Sequence, residues 1–143
     1  MENNSFSSQI HRNSLALLSL LVALSALFYN TWRNESTEKN RNIRIAEFEM
    51  LKELGEVQRI IDYAYFRKDP QRGDLTLALS RVLLIHDLSA LTPQPVQESA
   101  DQLLAAWRTN DDKLSTSLEA ASALSEEILK TRRIVLESLR GLK

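Results

Sequence analysis

Leu15–Tyr29 reads LALLSLLVALSALFY, fifteen consecutive residues without a charge, a glycine or a proline. Everything that follows is polar, charged and helix-patterned. This one run decides the architecture: a membrane-crossing helix carrying a small helical domain. Fifteen residues of helix span about 22 Å, short of a hydrocarbon core of about 30 Å. Adding Ser14 on one side and Asn30, Thr31 and Trp32 on the other closes most of the gap. Tyr29 and Trp32 then fall at headgroup level, where amphipathic aromatics prefer to lie. Arg12 and Arg33 bracket the segment, and their long stems can reach back to the interface. The expected span is therefore residues 14–32, with Arg12, Tyr29, Trp32 and Arg33 as membrane-interface residues.

Two other readings compete. A cleaved signal peptide has an apolar run of this length. Here, however, the leading segment carries Arg12 against Glu2, and Phe28, Tyr29 and Trp32 occupy the zone where small residues should mark a cleavage site. A buried helix of a soluble protein would be apolar on one stripe, whereas this run is apolar all round. For orientation, Arg33, Lys39, Arg41 and Arg44 outnumber Arg12 across the run, which favours a cytoplasmic domain. The same Lys39, Arg41 and Arg44 are candidate contacts for anionic headgroups. Asn34-Glu35-Ser36 forms a glycosylation sequon, but its place against the membrane makes coincidence the better reading.

Outward from the run, residues 1–13 (MENNSFSSQIHRN) are polar and read as a disordered tail. Residues 33–42 are polar on every face and read as a helical juxtamembrane spacer. Residues 43–143 carry helical periodicity. Ile43, Met50, Leu54, Val57, Ile61 and Ala64 form a first stripe, widened by Leu51, Ile60 and Tyr65, in a helix ending near Lys68. Gly55 inside it points to a close helix crossing. Asp69-Pro70-Gln71-Arg72-Gly73-Asp74 is a turn in which Asp74 caps the next helix, Leu75–Leu91. That helix shows two stripes: Leu75, Ala78, Val82, Ile85 and Leu77, Leu84, Leu88, Leu91. It is expected to be the central helix. Val96, Ala100, Leu103 and Trp107 define a third helix. A fourth begins near Lys113, after Asn110-Asp111-Asp112, and carries Leu114, Leu118, Leu124, Ile128 and Val135. The fold class is all-α: one N-terminal transmembrane helix and a small, mostly antiparallel four-helix bundle. Val82, Ile85, Leu103, Trp107 and Ile128 are its expected core.

Chemistry is sparse. Of 143 residues none is cysteine, which excludes disulfides, Cys-type zinc sites and thiol catalysis. Charged residues make up 26% and the net charge is −1, giving no global pull toward nucleic acid. No G-x-S-x-G elbow and no Gly-rich phosphate loop occurs. His86 has Leu83 three residues before it, so the Glu-x-x-His metal pattern is missing. His86 reads instead as a half-buried histidine. Glu47, Glu49, Glu53 and Glu56, interleaved with Lys52 and Arg59, read as a solvated ion-paired face. Lys130, Arg132 and Arg133 lack the aromatics of a nucleic-acid surface. Tyr63, Tyr65 and Phe66 either pack toward Trp107 or form a partner surface.

The stretch from Asn13 through Tyr29-Asn30-Thr31-Trp32-Arg33-Asn34-Glu35 to Ala46-Glu47-Phe48-Glu49-Met50-Leu51 resembles small bacterial inner-membrane proteins of uncharacterised activity. In these a single span leads into a Glu/Arg-rich helix and a helical domain. The resemblance covers about the first third of the chain and implies a single-pass bacterial protein, with no functional residue attached. Taken together, a non-enzymatic interaction protein is expected: a scaffold or accessory subunit in the lipid bilayer, with no cofactor, no metal, no nucleic acid and an unidentified protein partner. A homodimer through Met50, Leu54, Val57 and Ile61 is a further expectation. The alternative is a small sensor bundle with a pocket near His86 and Tyr63.

Overall fold

The computed structural model describes residues 13–142. They form four long helices and no strand. α1 runs Ser14–Asp62 and passes into a π-helical turn, Tyr63–Arg67. α2 is Leu75–Ser89, α3 is Gln94–Asn110 and α4 is Leu118–Gly141. The chain divides into two compact units between Lys39 and Asn40. Of the disordered tail expected over residues 1–13, residues 1–12, Arg12 among them, lie outside the described residues.

In the first unit every residue from Leu15 to Trp32 is helical and exposed. Among the described residues, α1 is the one helix long and apolar enough to cross a membrane. The spacer expected over 33–42 is helical throughout, because nothing from Ser14 to Asp62 interrupts the backbone hydrogen-bond ladder.

The second unit is a four-helix bundle. Its order follows from side-chain contacts between helices. Glu53 of α1 meets Arg81 of α2, His86 of α2 meets Asp101 of α3, and Lys130 of α4 donates to Gln102 of α3. α4 then returns to α1 through Arg132 to Leu51, Gln58 to Ser125, and Ser138 to Glu47. Along the α1–α4 seam one residue number rises as the other falls, so the pair is antiparallel. Met50, Leu54, Val57, Ile61, Val82, Ile85, Leu103, Trp107, Leu124 and Ile128 fill one core. The five residues expected to share a core do so.

Local chemistry sets the ends. The Lys68 and Asp69 amides both donate to the Tyr63 carbonyl, which closes the π turn. Lys68 adopts a left-handed conformation, with φ of 51°. Its Nζ donates to the Ser115 carbonyl at 2.6 Å and lies over the Tyr65 ring, which holds that conformation in place. Gly73 is required sterically: a Cβ there would sit 2.5 Å from the Ala64 amide nitrogen. Asp74 caps α2 as expected, its Oδ1 accepting from the Thr76 and Leu77 amides at 2.9 and 3.3 Å. Pro93 and Pro95 open α3, where a missing N–H costs nothing.

Two expectations are corrected. α4 starts at Leu118, not near Lys113. Asp111–Lys113 form a separate 3-10 turn, and the Ser117 hydroxyl caps α4 by accepting from the Ala120 amide. The Ser115-Thr116-Ser117 run supplies side chains that favour a cap over helix continuation. α2 is not a central helix. It buries Ala78, Val82 and Ile85, while Leu77, Leu84 and Leu91 are exposed and Leu88 is half-buried. In a ring of four, each helix has two neighbours and one inward face, so a second stripe necessarily turns outward.

Candidate functional site

The charged face expected on α1 splits in two. Glu49 and Glu56 remain at the surface, paired to Lys52 and Arg59. The Arg59 guanidinium holds the Glu56 carboxyl below the usual carboxylate range. Glu47 and Glu53 are instead buried. Glu53 is bound by Arg81 at 2.6 Å, joining α1 to α2. Glu47 is fully enclosed. Its Oε1 accepts from the Ser138 hydroxyl, and its Oε2 has no partner. Burial pushes this carboxyl above its ordinary pKa, opposed less strongly by the Ser138 hydrogen bond. An unsatisfied buried acceptor costs about 1–3 kcal/mol, so Glu47 is a local weak point of the core. Position alone would have found it: Glu47 is four residues after Ile43, three before Met50 and seven before Leu54, squarely on the apolar stripe.

The remaining site expectations are scattered. Tyr29 and Trp32 are exposed, their ring centroids 6.3 Å apart, and Arg33 is exposed beside them. Lys39 and Arg41 are also exposed. Arg44 is engaged within the bundle, where its Nη2 donates to the Leu142 carbonyl and so satisfies the C-terminal end of α4. Tyr63, Tyr65 and Phe66 separate by role. Tyr63 is half-buried under the Arg72 guanidinium, Tyr65 packs against the core, and Phe66 is exposed with its ring edge-on to Tyr65. Tyr65 thus follows the packing alternative, and Phe66 does not pack into the core.

His86 is half-buried, with its Nε2 3.1 Å from Asp101 and its Nδ1 3.7 Å from Asp87. It ties α2 to α3 at the surface. Among the described residues no group of three or more His, Asp or Glu is arranged to hold a metal ion. The homodimer seam expected from Met50, Leu54, Val57 and Ile61 is fully buried inside the bundle and offers no surface to a second copy.

Open depressions mark the bundle surface. One, about 790 Å³, crosses the outer side of α1 and is lined by Phe48, Leu51, Gly55, Arg81 and Arg132, with Lys52, Glu53 and Glu56. A second, about 430 Å³, lies in the loop cluster around Lys68, Gly73 and Ser115. The third, about 280 Å³, is rimmed by Asp111 and Asp112 beside Trp107. None of the three is lined by His86. Gly55 does not mark a helix crossing within the chain, because a Cβ there would meet nothing within 4 Å. The large groove sets the apolar Phe48, Leu51 and Gly55 among five charged side chains, Lys52, Glu53, Glu56, Arg81 and Arg132. No family model, no curated protein and no solved structure matches this chain.

Proposed function

We propose that this is a membrane-anchored interaction protein: a single-pass anchor at residues 14–32 presenting a helical bundle that scaffolds, or serves as an accessory subunit of, a membrane complex. One observation carries the reading. The side chains of Leu15–Tyr29 are apolar on all sides of the helix and exposed, Leu15 by 80% and Phe28 by 73%, while the bundle has a closed core of its own. An all-round apolar helix left uncovered is stable in lipid and not in water. The bundle contributes surface rather than chemistry, which fits a scaffold better than an enzyme. Arg33, Lys39 and Arg41 beyond the span favour a cytoplasmic bundle; a bacterial inner membrane rests on the resemblance of the first third of the chain.

The test is fractionation of the full chain. It should sediment with membranes and resist carbonate extraction, and mild-detergent purification should retain a stoichiometric partner. A soluble product beginning near Asn30 would replace the anchor with a cleaved leader. A phosphatase fused after Lys143, active only in the periplasm, should be silent; strong activity would invert the orientation.

A further inference from the structure

The large groove on α1 contains a glycine that the chain itself does not need. Gly55 lies inside a continuous helix, where glycine is the poorest former after proline. Its φ is not positive, so no special backbone conformation calls for it. A Cβ there would touch nothing within 4 Å, so internal packing does not call for it either. What the missing side chain does create is a notch on the outside of the bundle. Phe48, 59% exposed, stands seven residues before it on the same face of α1, and half-buried Leu51 lies between them. An exposed aromatic beside a notch is the form of a docking anchor.

Charge selects among occupants. The two acids that line the groove are already held: Glu53 by Arg81 and Glu56 by Arg59. Lys52 is balanced by Glu49. Arg132 is not balanced. It reaches only the Leu51 carbonyl, at 3.4 Å, and among the described residues no carboxylate lies within ion-pair distance of it. Arg133 follows it in sequence, exposed and equally without an ion pair among the described residues. A guanidinium with open donors beside the apolar side chains of Phe48 and Leu51 is matched by a carboxylate flanked by apolar side chains. We propose that the groove over Gly55 docks an acidic, apolar segment of a partner protein, seated with a side chain in the Gly55 notch, an apolar face on Phe48 and Leu51, and a carboxylate on Arg132. The volume of about 790 Å³ suits several side chains of a polypeptide and exceeds what one small ion fills. This rests on the interaction-protein reading and names the surface and the chemistry of its partner.

The experiment uses the full chain in its own membranes, with Phe48 replaced by photoreactive benzoylphenylalanine. That residue keeps the aromatic ring at the groove edge. After irradiation, the adduct is digested and the attached peptide sequenced. The expected adduct is a segment of another protein with at least one Asp or Glu flanked by apolar residues. Adding Arg132→Glu should lower its yield at least about tenfold, as reversal of a rim charge at a small interface does. Adding Gly55→Leu should abolish it by filling the notch. Gly55→Leu should not lower the melting temperature, since position 55 is open and leucine is the better helix former; Arg132→Glu loses the exposed hydrogen bond to the Leu51 carbonyl, and its melt is recorded beside its yield, so folding and docking are read separately. An adduct to a second copy of this chain overturns the proposal. So does an adduct confined to lipid, no adduct, or an adduct that persists in both variants. A stoichiometric partner retained in detergent without an adduct at position 48 overturns the groove and leaves the wider reading standing; loss of the chain from the membrane fraction overturns that reading instead.

Discussion

α1 contains two apolar segments that solve the same problem in opposite ways. Residues 15–29 are apolar on every side and every one is exposed. Residues 43–61 are apolar along one stripe, and Ile43, Met50, Leu54, Val57 and Ile61 are buried. The second segment has charged residues on its outer side and partners in α2 and α4. The first has no polar side to give to water. Helix propensity is similar in both, so hydrogen bonding does not distinguish them; the angular spread of apolar side chains does. The stripe is covered by other helices of the same chain; the uncovered cylinder is long and apolar enough to cross a membrane, the solvent proposed for it.

That contrast predicts two mutations with separable effects. Trp107→Ala should be the most damaging change in the bundle. The indole is buried at the centre of the core, and its Nε1 has no partner. The loss is therefore one of packing, worth about 3–5 kcal/mol. Thermal melts of the detergent-solubilised chain should show the bundle transition lost or strongly lowered, with carbonate resistance unchanged. An unchanged melt would mean that the ring is not enclosed. Leu21→Arg should do the reverse: a central arginine costs about 2.5–3.5 kcal/mol on the insertion scale. The membrane-bound fraction should fall while the melt of the bundle is unaltered. If both properties fell together in either variant, the two segments would not be independent.

A pH series sharpens the comparison from within the bundle. Glu47 is a charged residue type on a buried stripe, and burial raises its pKa. A group with a raised folded-state pKa contributes stability that is complete below its unfolded value and lost as the pH rises through the folded value. Wild type should therefore lose melting temperature, relative to Glu47→Gln, as the pH climbs above the ordinary carboxylate range. At acidic pH the two should converge. A difference independent of pH would show that Glu47 does not titrate there. The smallest effect expected is at the α2 cap. Asp74→Ala removes acceptors for two amides and should cost about 1 kcal/mol, a drop of about 4–8 °C in a domain near 100 residues.

The sequence carried most of the bundle but little of its surface. Periodicity located the helices, the Asp74 cap and the core around Trp107, because packing leaves a repeat that a single chain displays. It failed where a residue type contradicted its position. Glu47 and Glu53 look solvated by charge, yet each sits on or beside the buried stripe and finds Ser138 or Arg81, residues 91 and 28 positions away. Leu77, Leu84 and Leu91 failed in the other sense, since apolar character does not say which stripe turns inward. Gly55 was legible as an oddity, but its meaning needed the surrounding space, because only the absence of any neighbour shows that the notch faces outward. The groove joins Phe48 of α1 to Arg132 of α4, and no local pattern announces a pairing at that distance.

The antiparallel seam between α1 and α4 has a mechanical consequence. Arg44 reaches the Leu142 carbonyl, so the bundle receives the chain and releases it at the same pole. A tension applied between residues 40 and 142 would act across the first contact of that seam alone. The contacts from Glu47–Ser138 to Gln58–Ser125 would then open in succession, like a zip, instead of sharing the load as they would under shear. A domain wired in this way yields to a smaller pull at its two ends than one loaded in shear, with the α1–α4 seam opening first.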